Sequence, residues 1–260
     1  MALKFSTGIA NAIADRASYR QMVTGGRHMI FSGVQPTNAD SASNGTKLAV
    51  VTQSGGAFVG ETLPVWTLTL SGGSGTLDSV KIGGVELLPV AVMFAVDLAT
   101  TATAAAALIT SNWSVCDYTA TAIGAAIYIS GPKNSGTSLN ATVCAATSTT
   151  LGAVVSNAGL PTTQGVAVVN GLEFTFPAAA GVFSKSGSWS ATGIATGTAG
   201  WFRYCCDAAD DGTSSSSTYA RLDGTITVAG GGGESIIDNT SITIGQLVTI
   251  TSCSLGVSKG

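Results

Sequence analysis

Charge is scarce in this chain: only 10% of its 260 residues are Asp, Glu, Lys or Arg, against about 25% in an average globular domain. The formal net charge of −3 carries no basic excess, so a nucleic-acid partner, which needs a Lys/Arg-rich face, is not expected. Histidine is nearly absent too, with His28 the sole example. Its notional Ser and Asp partners lack the G-x-S-x-G elbow that would expose a nucleophile, and His28 is expected to be structural. Glu61, Glu86, Glu173 and Glu234 are scattered through strand and turn sequences, with no placed pair for glycoside hydrolysis. The expectation is a non-enzyme with no catalytic residues.

Long apolar runs are missing as well. The stretch from Val85 to Ile109 is interrupted by Glu86, Pro89 and Asp97, short of the roughly 20 predominantly apolar residues of a membrane helix, and no membrane partner is expected. The opening MALKFSTGIANAIADR has no apolar core followed by a cleavage site, which predicts use without secretion. Cysteine occurs five times, at Cys116, Cys144, Cys205, Cys206 and Cys253, without C-x-x-C spacing. With one histidine beside them, no metal site is expected. The thiols are either buried small hydrophobes or disulfide partners oxidised after release from a reducing cytosol. Cys205 and Cys206 are adjacent in a strand sequence, so they point to opposite faces, and one is expected to look outward or towards a neighbour.

Other candidates are equally plain. GGSGTLDS at 72–79 lacks the Gly-Lys-Ser/Thr ending of a phosphate loop and reads as a turn, so no cofactor is expected. DAADDG at 207–212 offers Asp207, Asp210 and Asp211 as oxygen donors, but without EF-hand spacing, and reads as a solvated loop. Trp66, Trp113, Trp189 and Trp201 are of the type that stacks on sugars, although strand tryptophans more often lie in cores. The glycine run AGGGGES at 229–235 signals either mobility or close approach by a neighbouring subunit.

What fills the chain instead is Gly, Ala, Ser, Thr and β-branched residues, with a mean hydropathy of +0.41. Such a surface suits a protein that buries itself against copies or neighbours. TGIANAIADRASYRQM at 7–22 reads as a short helix capped by Thr7 and ended by Gly25-Gly26, separate from the strand pattern and a candidate anchor. HMIFSG and TKLAVVTQ read as strands around a turn-rich loop. From about Gly55 to Gly165 the texture changes to a ββ-α-ββ module: PVWTLTLSG, a hairpin turning at Gly83-Gly84, an Ala-rich helix through Leu98, Ala102, Ala105 and Ile109, then DYTATAIGAAIYISG and NATVCAATS. Strand texture returns in NGLEFTF (Leu172, Phe174 and Phe176 on one face), GWFRYCC, TYARLDGTITV and SITIGQLVTITSCSL. The fold class expected is mainly β: an antiparallel, sandwich-like outer domain, 1–54 plus 166–260, with an α+β module inserted at 55–165. Phe174, Trp201 and Leu222 are expected in the outer core, and many strand edges are expected to be exposed.

The outer halves resemble a family of small virion proteins of tailed bacteriophages. The resemblance rests on Ser32-Gly33-Val34-Gln35-Pro36, Ala39-Asp40, Gly45-Thr46 and Leu48, then Gly197 to Arg203, then Arg221 to Thr225, and the NTSI…ITS ending; Cys253 stands where an aromatic is more usual, and Cys205-Cys206 is unusual for the pattern. The insert is similar to a recurrent phage add-on module through Leu68 to Gly72, Val80 to Gly84, Ala99 to Ile109, Tyr118 to Thr121, Ile127 and Ile129. These resemblances imply a structural virion component of the neck or collar, tail or head decoration. Its partners would be copies of itself, as a trimer or ring, and other virion proteins. The alternative they leave is a host-surface adhesin whose insert binds glycan.

Overall fold

The computed structural model describes residues 3–15, 19–112, 114–115, 117–175 and 181–256. The chain is mainly β, and among the described residues every strand pair is antiparallel except one. It divides into two compact units, Met1–Gly60 with Val168–Gly260, and Glu61–Ala167. The first unit keeps the chain as far as Gly60 because its outgoing and returning segments bridge at Val59 and Val169.

In the first unit the strands close on themselves. Arg221–Thr227 pairs with Gly197–Cys205, and the circuit continues through Arg27–Ser32, Lys47–Gln53, Trp189–Thr192, Leu247–Gly256 and Ser235–Ile237, which returns to Arg221–Thr227. Alternation along each strand fills the inside of this barrel with Ile30, Leu48, Trp189, Phe202, Tyr204, Leu222 and Ile250. Phe174, from the short Glu173–Phe174 strand, joins them; Phe176 lies outside the described residues. Closure leaves no free edge in the ring itself, which corrects the expectation of many exposed edges for this unit.

The closing seam is the parallel pair, with Ile226 beside Ser235 and Thr227 beside Ile236. Parallel neighbours ordinarily need a long crossover. Here residues 228–234 suffice, because the overlap is brief and Gly230 and Gly232 take φ of 86° and 71°. Gly231 and Gly233 pack on Thr227, whose Oγ1 accepts from Gly233 N at 3.1 Å. The glycine run therefore makes its close approach within the chain.

Trp201 corrects a second expectation. It is fully buried, but with Met29, Phe31 and Cys205 in a separate cluster outside the barrel wall. Phe202 and Tyr204, one residue out of phase, face the interior. The amino-terminal segment corrects a third. It forms two helices, Thr7–Asp15 and Tyr19–Val23. Ser6 rather than Thr7 caps the first, its Oγ accepting from Ile9 N at 3.2 Å. Ile9 and Val23 are buried in the barrel core, and Tyr204 OH donates to Val23 O at 2.6 Å. The segment is part of the barrel, and removing it would uncover that core.

The second unit holds two antiparallel sheets of four strands. Thr76–Ile82 lies between Cys144–Thr149 on one side and Val85–Glu86 with Val92–Met93 on the other. The second sheet runs Gly152–Val155, Val65–Ser71, Ala126–Ser130, Thr119–Ile123. Gly83 and Gly84, with φ of 58° and 82°, make the expected hairpin turn. The helix Leu98–Ser111 starts at Asp97, whose side chain accepts from Thr100 N at 2.7 Å. It buries Ala102, Ala105, Ala106 and Ile109 with Trp66, Leu68 and Leu70 in one core.

Candidate assembly surface

Alternate residues of Gly197–Cys205 and Arg221–Thr227 face outward from the barrel wall, while Phe202 and Leu222 face its core. Trp201, from Gly197–Cys205, donates its indole N–H to Ser32 O at 3.2 Å and Asn44 O at 3.1 Å, and stacks on Phe31 with centroids 4.5 Å apart. Two positions along, Arg203 forms a two-pronged pair with Asp223, both hydrogen bonds at 2.8 Å. Its remaining prong donates to Gly212 O at 2.9 Å. Arg221 makes a second fork, to Asp210, with both bonds at 2.6 Å. All four charged residues are buried. Two loops lie over them, tied by Ser43 N to Thr213 O at 2.9 Å and Ser216 N to Asp40 O at 2.8 Å. Asp40 also accepts from Thr7 N at 2.9 Å and Thr7 Oγ1 at 2.6 Å. These motif residues are thus a brace that fixes the loops over the wall, and sequence reasoning did not single out Arg203, Arg221 or Asp223.

At one end of the ring the chain turns present a different surface. Ser32 lies opposite Ala199, Thr192 opposite Leu247, and Trp201 opposite Thr225. This register brings Val34, Ile194, Val228, Ile244 and Leu247 to the same rim. All five are exposed, Ile244 at 71% and Leu247 at 66%. The turns that carry Ile194 and Ile244 are tied by Gly193 N to Gln246 O at 2.8 Å and Gly245 N to Gly193 O at 2.9 Å. The rim segments 33–35, 193–197, 228–233 and 240–247 contain no ionisable residue. The five exposed side chains named at this rim are thus aliphatic and its segments uncharged.

Elsewhere the candidates take structural places. His28 lies inside the barrel, stacked on Phe202 at 4.3 Å. Neither ring nitrogen has a hydrogen-bond partner among the described residues, and burial pushes its pKa down to about 3. In the loop at 207–212, Asp210 is paired with Arg221, while Asp207 and Asp211 accept from Ala209 N and Thr213 N at 2.9 and 2.8 Å. The solvated-loop reading therefore fails at Asp210. No group of three or more His, Cys, Asp or Glu able to hold a metal ion occurs among the described residues. Residues 72–75 form the turn between Val65–Ser71 and Thr76–Ile82. Glu61 accepts from Asn134 N and Gly136 N, Glu86 from Val80 N and Leu88 N, and Glu234 from Thr225 N at 2.7 Å. Trp66, Trp189 and Trp201 are all buried, leaving none of these three a face for sugar; Trp113 lies outside the described residues. No helix among the described residues is long and apolar enough to cross a membrane.

Cys144, Cys205, Cys206 and Cys253 are free thiols; Cys116 lies outside the described residues. Cys205 faces the outer cluster, whereas Cys206 packs against the barrel core and donates to Met22 O at 2.8 Å. The two do point oppositely, but both are covered to some degree by this chain. Burial pushes Cys144, Cys205 and Cys253 up to about 12, which starves them of reactive thiolate. In the folded protein these three are expected to resist iodoacetamide and to react once the chain is unfolded. Rapid native alkylation at any of them, located by peptide mass spectrometry, would contradict this burial.

No family model, curated protein or solved structure matches the chain. The reading of its function therefore rests on its own residues.

Proposed function

We propose that this chain is a structural component of a tailed-phage virion, at the neck or collar, the tail, or the decorated head surface. It acts through contacts with copies of itself and with other virion proteins. The aliphatic rim carries the reading: Val34, Ile194, Val228, Ile244 and Leu247 stand exposed, and none of them has an ionisable residue as a chain neighbour. Leaving such a surface in water is unfavourable by about 25 cal/mol for each Å² of apolar area that a partner would cover. The motif resemblance, set on a braced wall, supplies the virion context. The work is mechanical, with no catalytic, cofactor or metal-binding residue invoked.

The test pairs assembly with incorporation. The double substitution Ile244→Asp with Leu247→Asp is expected to leave thermal unfolding almost unchanged, since both side chains are exposed. Light scattering should then show a lighter species than the wild-type oligomer. Particles produced with the variant should lack the protein when their composition is read by mass spectrometry. A wild-type chain that is a stable monomer, or a variant incorporated at wild-type level, would sink the proposal.

A further inference from the structure

The sequence contains two Asn-Gly steps, Asn44-Gly45 and Asn170-Gly171, and the fold treats them differently. Asn44 and Gly45 are both exposed in the loop that covers the braced wall. Among the described residues the Asn44 carboxamide has no hydrogen-bond partner, and neither has the Gly45 N–H, whereas the next amide, Thr46 N, is held by Ser32 Oγ at 2.9 Å. Asn170 is restrained: its Nδ2 donates to Ala57 O at 2.7 Å, and its carbonyl accepts from Gln53 N at 2.9 Å. Glycine is required at 45, where φ is +87° and a Cβ would stand 2.1 Å from Ser32 O. The fold thus imposes on Asn44 the one following residue whose nitrogen no side chain shields.

We infer that Asn44 is a site of spontaneous deamidation in the folded protein, and that Asn170 is protected. The Gly45 nitrogen, losing its proton to solvent base, bonds to Cγ of Asn44. The Cγ–Nδ2 bond breaks, and ammonia leaves with a proton from solvent. Water then opens the resulting five-membered imide. Cleavage of the new Cγ–N bond gives aspartate, and cleavage of the original peptide bond gives isoaspartate. The net change is the uptake of one water and the loss of one ammonia, with no oxidation.

The isoaspartyl outcome reroutes the main chain through Cβ and Cγ. The Asn44 carbonyl that accepts from the Trp201 indole becomes a free carboxylate outside the chain path. Either product places a negative charge beside Gly33, which a Cβ built on its backbone would set 4.0 Å from Gly45 Cα, next to Val34 of the uncharged rim. Ageing at this residue therefore loosens the loop brace and charges its border.

The experiment incubates the full-length protein at mildly alkaline pH and follows both sites by peptide mass spectrometry, with isoaspartyl methyltransferase labelling of the product. Conversion at Asn44 with Asn170 intact is expected in the native protein, together with a shift in tryptophan emission that the Asn44→Ser variant lacks. In denaturant both sites should convert. An Asn44 that stays intact in the native protein while the denatured control converts would overturn the inference. So would native conversion of Asn44 and Asn170 at equal rates.

Discussion

Replacing Asp223 by Ala is expected to destabilise the protein by about 3–5 kcal/mol, the cost of leaving a buried guanidinium without its counter-ion. Both partners of the Arg203–Asp223 fork are fully buried, so solvent cannot screen or rescue Arg203. The loss should exceed that of Lys81→Ala, whose partner Glu86 lies 3.9 Å away in an exposed pair. Substituting both members, Arg203→Met with Asp223→Leu, should recover much of the stability, because no charge then remains buried. Urea unfolding of the three variants is the measurement. A loss below about 1 kcal/mol for Asp223→Ala would mean that the loops part and admit water.

Acid should act on the barrel chiefly through His28. The folded chain holds it neutral, with a pKa of about 3, whereas the unfolded chain binds a proton below about 6.5. Between those values the unfolded state carries the extra proton. Stability is therefore complete above the unfolded pKa, falls as pH drops through the window, and levels off below about 3. A shift of this size corresponds to about 5 kcal/mol over the whole window. His28→Phe keeps a ring against Phe202 and removes the two unpartnered nitrogens. It is expected to be at least as stable as wild type at neutral pH and to lose much less between pH 6 and 3. Denaturant unfolding of both proteins across that range decides the matter, and parallel pH profiles would exclude His28 as the cause.

The strands with clean alternation were legible. Val65–Ser71 and Leu247–Gly256 follow from period-two patterns, Lys47–Gln53 from its apolar run bounded by a turn-rich loop, and Leu98–Ser111 from its small-residue helix face. Trp189–Thr192, Gly152–Val155 and Ser235–Ile237 were not, being too short to show a period. Barrel closure was hidden for a related reason: it depends on two residues of Ser235–Ile237 finding Ile226 and Thr227, a pairing without local signature. The braced wall was hidden by the alternation itself. In GWFRY, placing Trp201 in the core puts Arg203 on that same face, opposite Phe202 and Tyr204, where a charge has no partner in the local sequence. Arg203 faces away from the barrel, and two polar loops cover it. Whether an outward strand face meets water or a loop is decided far along the chain. The rim was illegible because Ile194, Ile244 and Leu247 look like ordinary strand residues until the register brings their turns to one end.

The bridged stems of the inserted unit bear on how the barrel can form at all. Lys47–Gln53 and Trp189–Thr192 are ring neighbours, yet the whole of residues 61–167 separates them in the chain. Joining them across a floppy loop costs conformational entropy that grows with length, by about 0.6 kcal/mol for each doubling. The insert's own fold draws its ends together, with Thr62 bridging Val166 and Val65 bridging Thr163. Once it has folded, the ring closes over residues 54–60 and 168–188 alone, in place of the whole stretch from 54 to 188. The insert thereby shortens the search for the barrel's pairing, and the order of events favours the middle of the chain before its ends.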